Sequence, residues 1–199
     1  MRTAIVHLKK ADPALADLIQ NVGAYKMEYG DPDFPSLVRS IVYQQLSGKV
    51  ASVIFGRLLD ALPKRRLTPR AILKLEHEQL RGVGLSNQKA RYIRDLAGHT
   101  HHGTVDFGVL PALSDDDVIQ HLTKVKGIGV WTAHMFLMFA LRRPDILPTG
   151  DLGIRMAMKN LYELPDLPKP AAMIEIAQPW RPYCSVASWY LWRSLDIKK

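Results

Sequence analysis

A predicted helical hairpin over about residues 114–141 constrains the fold of this 199-residue chain more than any other feature. Apolar residues recur at helical spacing from Val118 to Val125, after a run of three aspartates that suits the positive end of a helix dipole. A Lys-Gly-Ile-Gly turn follows at residues 126–129, and residues 130–141 are apolar almost all round, which is typical of a buried helix. The segment therefore predicts an amphipathic helix, a tight turn and a buried helix.

The two glycines of this turn favour contact with a phosphate group. Glycine adopts backbone angles that a side chain forbids, and it lets another molecule approach the peptide closely. Gly129 falls at the start of the second helix, where N–H groups point outward, while Ile128 is expected to fill the space between the helices. Such a turn can bind a nucleic-acid backbone without reading its sequence. The alternative is a plain helix–helix turn that binds no ligand.

The remaining sequence predicts an all-α fold in a single domain, residues 1–199. A proline-rich connector is expected at residues 165–170, and the glycines of residues 98–103 predict a break after the helix that begins at Ser86. N-caps are predicted at Thr68 and Ser114. Outside the hairpin, helices are predicted at 12–22, from Pro35, from Ser47 to Pro63, from Thr68, from Ser86 through Arg94, at 152–161 and at 182–195.

The charge of the chain is concentrated in one segment. The sequence has 27 Lys and Arg against 19 Asp and Glu, a formal net charge of +8. Residues 49–94 contain 11 basic and 3 acidic residues, so this segment carries the whole excess. One interpretation is a polyanionic partner such as nucleic acid, because clustered basic side chains neutralise its phosphate groups. A solvated basic face is the other.

Several classes of protein are excluded by composition. The single cysteine, Cys184, allows no disulfide within the chain and no all-cysteine zinc or iron–sulfur site. No run of 18 apolar residues is present, so no membrane span is expected, and the first ten residues have no secretory signal pattern. An intracellular setting is therefore expected. His99, His101 and His102 match no catalytic zinc spacing and are expected in a solvated loop.

Asp151 is the candidate catalytic carboxylate. Pro148 and Gly150 predict a non-helical path up to it, and a helix is predicted directly after it. An aspartate at this position is most simply an N-cap. The two roles are compatible, because the N-terminus of a helix favours the charged form of a carboxylate.

These stretches together resemble the helix-hairpin-helix (HhH-GPD) superfamily of DNA glycosylases, and within it the DNA-3-methyladenine glycosylase II branch. The resemblance rests on residues 122–141 followed by Leu-Pro-Thr-Gly-Asp at 147–151, and on residues 41–47, 84–90, 127–133 and 179–183. It implies two helical subdomains flanking an active-site cleft, with the hairpin at about 114–141 and a catalytic loop at 142–155. With about 34 residues before the first shared helix, no N-terminal β domain is expected.

The resemblance implies an enzyme of base excision repair that hydrolyses the N-glycosidic bond of alkylated purines such as 3-methyladenine and 7-methylguanine. Asp151 is then the catalytic carboxylate. Glycosylases of this superfamily that also cut the strand carry a lysine two residues after the second hairpin glycine, where this chain has Trp131. Without that amine no Schiff base with the sugar forms, so a monofunctional enzyme without AP-lyase activity is expected. Trp131 and Trp189 are implied to bind the flipped base, whereas Trp180 and Trp192 are interpreted as core residues.

The same resemblance implies the DNA contacts. Gln45 and Leu46 are placed at a helix junction where a wedge enters the base stack, although Leu46 is equally readable as a half-buried residue of the junction. The other implied DNA-binding residues are Lys126, Gly127, Ile128, Gly129 and Thr132. The backbone carbonyls of Thr123, Val125 and Ile128 are implied to hold a monovalent cation, Na⁺ or K⁺. No other cofactor and no iron–sulfur cluster are expected.

The implied partner is double-stranded DNA containing alkylated bases, bound by a monomer with no membrane association. The location is the cytoplasm, at the nucleoid, in a bacterium and the nucleus in a eukaryote. Two departures affect substrate range: Gly150 stands where some relatives have a second acidic residue, and Met135 where some have a pocket tyrosine. The alternatives are a glycosylase for deaminated or oxidised bases and a non-catalytic hairpin module that binds damaged DNA.

Overall fold

The computed structural model describes residues 1–197, and all of its regular structure in that range is helical. Twelve α-helices are joined by loops and by short 3₁₀ turns at Pro63–Arg65, Leu110–Ala112 and Gln178–Trp180. The helices are α1 (Arg2–Ala11), α2 (Pro13–Val22), α3 (Phe34–Tyr43), α4 (Gly48–Asp60), α5 (Pro69–Leu73), α6 (His77–Gly82), α7 (Asn87–His101), α8 (Asp115–Thr123), α9 (Val130–Phe139), α10 (Leu152–Leu161), α11 (Pro170–Ile176) and α12 (Cys184–Ser194). The predicted all-α class is confirmed over these residues.

Side-chain caps explain where many of the helices begin. In each case an oxygen of the N-cap side chain accepts a hydrogen bond from a backbone N–H of the first turn, which otherwise has no partner. The capping residues are Asp12, Asp33, Ser47, Thr68, Ser86, Ser114 and Asp151. The N-caps predicted at Thr68 and Ser114 are therefore confirmed, as are the helix starts predicted at Ser47 and Ser86.

The chain divides into two compact units. A terminal unit is formed by Met1–Tyr29 with the chain from Leu137 onward, and a central unit is formed by Gly30–Phe136. The predicted hairpin up to Phe136 and the basic segment, residues 49–94, belong to the central unit. Asp151 and the last three tryptophans belong to the terminal unit.

The central unit is built around α7, against which α3, α5 and α6 pack. Leu37, Ile41 and Val42 form a buried apolar face of α3, and Ile93 and Leu96 of α7 are also buried. In the hairpin, Val118 and Leu122 of α8 are fully buried, which confirms the predicted amphipathic helix. Burial of this apolar surface is the main source of the unit's stability.

The terminal unit packs α12 against α2 and α10, with α1 against α2. Trp180 and Tyr190 are fully buried, so the core role predicted for Trp180 is confirmed. Asp12 is a buried polar anchor of this core. Its carboxylate accepts hydrogen bonds from the backbone N–H of Leu15 at 3.0 Å, from the hydroxyl of Tyr162 at 2.6 Å and from the indole of Trp180 at 2.8 Å.

Several local features differ from the predictions. Helices α1 and α11 are not among the predicted helices, and α7 continues through Gly98 to His101 instead of ending before residues 98–103. A helical glycine costs about 1 kcal/mol relative to alanine, which the burial of neighbouring α7 residues offsets. As a result His99 and His101 lie in a helix rather than a solvated loop, with His99 Nε2 3.6 Å from Asp95 Oδ2.

Exposed apolar residues account for the other differences. Val50 and Val53 of α4 are about half exposed, so not all apolar residues of this helix face the core. Val130 and Trp131 are also exposed, whereas Thr132 and Ala133 are buried, so the buried part of α9 begins at residue 132 and not at residue 130. Residues 1–197 contain no helix that is both long and apolar enough to cross a bilayer.

Candidate active site and nucleic-acid interface

Asp151 is held in place by two hydrogen bonds to one carboxylate oxygen. It is the N-cap of α10, and its Oδ1 accepts a bond from the backbone N–H of Ile154 at 2.9 Å. The same oxygen accepts a second bond from the indole Nε1 of Trp192, also at 2.9 Å. Asp151 is 8% exposed. The predicted cap role is confirmed, and the side chain is oriented by partners on two different helices.

Trp192 is the residue that the sequence interpretation placed in the core without a further role. Its ring stacks on Phe139, with centroids 5.9 Å apart and an interplanar angle of 24°. This stacking fixes the indole plane, which in turn aims the N–H at Asp151. The helical position of a tryptophan in the sequence gave no sign of this hydrogen bond.

Gly153 provides the room for the Asp151–Trp192 contact. A Cβ at this position would lie 3.1 Å from Asp151 Oδ1, 3.2 Å from Trp192 Cδ1 and 3.3 Å from Trp192 Nε1. These separations are tighter than ordinary van der Waals contacts, so the neighbouring atoms would have to move. An added Cβ here would therefore displace the carboxylate or the indole by a few tenths of an ångström, whereas the backbone angles of Gly153 are open to other residues.

Trp131 lines a cavity of about 540 Å³ in the central unit. This volume lies in the range of small-molecule pockets. Trp131 is 44% exposed, so part of its indole surface is accessible from solvent. The cavity is lined by Arg39, Ser40, Tyr43, Gln44, Gln45, Trp131, Thr132 and Met135. The structure therefore brings three implied site residues, Gln45, Trp131 and Thr132, to one cavity.

Arg39 and Tyr43 form one wall of this cavity. They lie one turn apart on α3, and the Arg39 guanidinium carbon is 4.1 Å from the centroid of the Tyr43 ring. This distance is typical of a cation–π contact. One face of Tyr43 is therefore covered by a cation, and Trp131 is the more exposed of the two aromatic residues that line the cavity.

Trp189 lies among aromatic residues of the terminal unit. It is 8% exposed, with ring centroids 4.7 Å from Tyr25 and 4.9 Å from Tyr190. Burial and the neighbouring Tyr29 hydroxyl raise the pKa of Tyr25 above its usual range, so Tyr25 is a neutral hydrogen-bonding group at physiological pH.

The two hairpin glycines have different roles. Gly127 has φ +84°, and a Cβ there would overlap the ring of Tyr92, so this glycine serves internal packing as well as backbone geometry. Gly129 has no atom within 4 Å of the position of an added Cβ, so its surface is open to an approaching group. Ile128 is 3% exposed and packs inside the hairpin, as predicted. The backbone N–H of Lys126 donates to Asp95 Oδ2 at 2.8 Å, while the Lys126 side chain is largely exposed.

Residues 44–46, here called the wedge turn, lead from α3 to the N-cap of α4. Gln45 has φ +56°, in the left-handed region that non-glycine residues seldom adopt. Leu46 follows with 37% of its surface exposed. An apolar side chain presented on a strained turn is consistent with insertion into another molecule.

Two groups that the sequence interpretation missed support this turn. The Lys89 amine donates to the carbonyls of Val42 at 2.7 Å and Gln44 at 2.6 Å. The Gln44 amide donates to the carbonyl of Gly127 at 3.1 Å and lies 3.4 Å from the hydroxyl of Thr132. The Lys89 bonds join residues at least 45 positions apart, and the Gln44 bonds join residues at least 83 positions apart. No local sequence pattern predicts bonds over such separations.

His134 lies in α9, near the cavity residues Trp131 and Met135. Burial lowers the pKa of its imidazole below the usual value of 6.5, and the negative charge of Asp115 opposes this shift in part. His134 is therefore neutral at physiological pH. It adds no positive charge beside the cavity.

With this geometry established, the chain can be assigned to a family. It belongs to the HhH-GPD superfamily of base excision DNA repair proteins, whose family model matches residues 38–182. The resemblance read from the sequence is thereby confirmed, together with the helix-hairpin-helix glycosylase fold.

Known proteins resemble the chain over most of its length. DNA-3-methyladenine glycosylase 1 of Schizosaccharomyces pombe is 32% identical over 98% of this chain and 87% of the relative. A solved structure of the S. pombe 3-methyladenine DNA glycosylase Mag1, in complex with abasic DNA, has a TM-score of 0.86 at 32% identity and covers 98% of this chain and 97% of that one. A crystal structure of DNA-3-methyladenine glycosidase from Bacillus halodurans matches with a TM-score of 0.86 at 36% identity, over 96% and 88% of the two chains.

Another relative is longer than this chain. The Bacillus subtilis protein YfjP is 34% identical over 80% of this chain, and the match covers 58% of that relative.

Proposed function

We propose that this chain is a monofunctional DNA glycosylase that hydrolyses the N-glycosidic bond of alkylated purines during base excision repair. The observation that carries the proposal is the Asp151 carboxylate, positioned by Ile154 and Trp192 in a chain of the HhH-GPD superfamily. The names of the S. pombe and B. halodurans relatives support the substrate class, because both are 3-methyladenine glycosylases or glycosidases.

The proposed reaction uses Asp151 as an electrostatic group and as a partner for water. Breaking the bond between the base and deoxyribose builds positive charge on the sugar, as in other glycoside hydrolysis. A fixed carboxylate stabilises that charge, and it can orient or deprotonate the attacking water. Purines alkylated at a ring nitrogen carry positive charge already, so they leave without strong help from a general acid.

The absence of a lyase step follows from residue 131. Strand cleavage by a glycosylase of this superfamily needs an amine that forms a Schiff base with the sugar, and tryptophan has none. The proposed products are therefore a free base and an intact abasic strand.

Base recognition is proposed to depend on aromatic surfaces. The exposed face of Trp131 attracts a cationic ring by about 0.5–2 kcal/mol more than a neutral one, depending on desolvation. Trp189 is proposed as a second aromatic contributor in the terminal unit. Discrimination by ring charge instead of a fixed hydrogen-bond pattern supports a broad range of alkylated substrates.

The hairpin is proposed to hold the DNA backbone, and the wedge turn to fill the gap left by the flipped nucleotide. The open surface at Gly129, the exposed Lys126 side chain and the exposed Leu46 support these roles. Lys126, Gly127, Ile128, Gly129 and Thr132 are the proposed hairpin contacts, with Gln45 and Leu46 at the wedge. Extrusion of a base costs a few kcal/mol of unstacking, which an inserted side chain offsets.

A monovalent cation, Na⁺ or K⁺, fits the donor set proposed for the hairpin. The backbone carbonyls of Thr123, Val125 and Ile128 are uncharged oxygens, the type of ligand that hard cations prefer. The Val125 carbonyl accepts the N–H of Ile128 at 3.1 Å and retains a second lone pair. A bound cation would supply positive charge beside the phosphate contacts. No other cofactor is proposed for the reaction.

The proposed partner is double-stranded DNA with alkylated bases, bound by a monomer at the nucleoid of a bacterium or in the nucleus of a eukaryote. The solved S. pombe relative in complex with abasic DNA supports the DNA partner. The concentration of positive charge in residues 49–94 supports it independently.

The test is a base-release assay on a panel of duplexes, each with one 3-methyladenine, 7-methylguanine, 1,N⁶-ethenoadenine, hypoxanthine or uracil. We expect release of the alkylated purines, no strand nicking before alkali treatment and no adduct trapped by borohydride. Release of only hypoxanthine or uracil would replace the alkylpurine proposal with a different lesion class. Damage-specific binding with no free base from any duplex would indicate a non-catalytic module.

A further inference from the structure

The wedge turn has a support that the proposed function does not assign. We infer that Lys89 is a positioning residue for base extrusion, and that α7 joins the wedge turn to the DNA-binding hairpin as one rigid support. This inference rests on the proposed extrusion of a damaged base. It concerns contacts within the central unit alone.

Lys89 fixes the backbone on which Leu46 is presented. Its amine donates to the carbonyls of Val42 and Gln44, at 2.7 and 2.6 Å. These carbonyls lie at the end of α3, where the last turn lacks intrahelical N–H partners and a cation is favoured by the helix dipole. Gln45, the next residue, has a strained φ of +56°, so the turn needs such restraint to keep its shape. The Lys89 amine is partly buried in these contacts, and this burial lowers its pKa below the usual value.

The helix that carries Lys89 also holds the hairpin. Tyr92 lies one turn further along α7 and packs against Gly127, where a Cβ would overlap its ring. Asp95 lies another turn along and accepts the backbone N–H of Lys126 at 2.8 Å. The spacing of i, i+3 and i+6 places the three side chains along one side of the helix. One helix therefore supports both proposed DNA contacts.

Gln44 completes the connection from the opposite side. Its carbonyl accepts the Lys89 amine, and its side-chain amide donates to the Gly127 carbonyl at 3.1 Å. The wedge turn thus contacts α7 through its backbone and the hairpin through its side chain. A hairpin seated on the phosphate backbone therefore fixes the position at which Leu46 meets the base stack.

The test measures base extrusion separately from hydrolysis. A duplex carries 7-methylguanine beside a 2-aminopurine reporter, whose fluorescence rises when the neighbouring base leaves the stack. All proteins contain Asp151→Asn, so that the lesion is retained. We expect Lys89→Met to slow the fluorescence rise about tenfold, because two charge-assisted hydrogen bonds to the turn are lost, while affinity for the duplex stays unchanged. Lys10→Met is the charge-matched control, since Lys10 is exposed in the last turn of α1 and lies outside the basic segment of residues 49–94, and it should not slow the rise.

A double-mutant cycle distinguishes positioning from a separate effect. Lys89→Met should add little to the slow extrusion of Leu46→Ala, because both changes act on the same wedge. Lys89→Arg retains hydrogen-bond donors for the two carbonyls and should recover most of the extrusion rate. If Lys89→Met fails to fold, the extrusion rate of Lys89→Arg tests the positioning role by itself. Additive effects of Lys89→Met and Leu46→Ala, or a folded Lys89→Arg protein as slow as Lys89→Met, would overturn the inference.

Two further outcomes separate this inference from the proposed function. Equal loss of affinity for damaged and undamaged duplexes in Lys89→Met would identify a phosphate contact and contradict the positioning role. The absence of any fluorescence rise with the parent protein would contradict it as well. A different outcome is also informative: the fluorescence results are as expected, but protein that retains Asp151 releases no base. This outcome would refute the proposed glycosylase activity and leave the role of Lys89 intact.

Discussion

Replacing Trp192 with phenylalanine tests how the active carboxylate is positioned. The Trp192→Phe change would keep an aromatic ring against Phe139 but would remove the indole N–H that donates to Asp151 Oδ1 at 2.9 Å. A hydrogen bond to a charged group contributes about 1.5–3 kcal/mol. If this contribution is lost in the transition state, single-turnover base release slows by about 10- to 150-fold, since about 1.36 kcal/mol corresponds to a factor of ten.

The chain contains a matched control for this experiment. Trp180 also donates its indole N–H to a capping aspartate: its Nε1 is hydrogen-bonded to Asp12 Oδ2 at 2.8 Å. Trp180→Phe removes the same type of bond from the core and should lower the melting temperature while leaving the release rate of the folded protein near normal. Equal release rates for Trp192→Phe and the unaltered protein, measured at saturating enzyme, would refute the positioning role of the indole.

Three other predictions follow from the packing and charge. Gly153→Ala should retain the stability of the fold, since alanine favours helices over glycine by about 0.5–1 kcal/mol. It should slow base release, because the added Cβ displaces Asp151 or Trp192. Gly98→Ala is the control for activity, because open space surrounds Gly98. The free energy of unfolding should decrease as pH falls below 6.5 toward the lowered pKa of His134, because the unfolded state binds the proton more readily than the folded state. In chemical denaturation, His134→Gln should show a weaker decrease over the same pH range. Duplex affinity should fall about tenfold or more between 50 and 200 mM salt, and Lys126→Gln should reduce the slope of log affinity against log salt by about one; a slope unchanged in Lys126→Gln would exclude a phosphate contact there.

The fold was largely predictable because its signals are local. The amphipathic spacing in α8, the glycine turn and the serine and threonine caps each depend on residues within about two helical turns of one another. The errors arose where tertiary packing outweighs a local preference. Gly98 remains helical because α7 is held by its buried neighbours, and Val50 is exposed because no element of the described chain covers that side of α4 enough to bury it.

The candidate site was predictable only in part. The resemblance identified Asp151, and the structure confirms its local role as an N-cap. It did not predict the contacts of Trp192, Gln44 or Lys89, since each of these bonds joins residues more than 40 positions apart. Side-chain hydrogen bonds over such separations leave no periodic pattern in a sequence.

The central claim is tested most directly by single-turnover release of 7-methylguanine from a duplex by Asp151→Asn protein. Asparagine can keep the cap of α10 through its side-chain oxygen, but it lacks the negative charge that is proposed to stabilise the sugar cation. We expect base release to fall to near the uncatalysed rate, while damaged-duplex binding and the melting temperature are preserved. Release at the normal rate by this folded variant would contradict the catalytic role of Asp151.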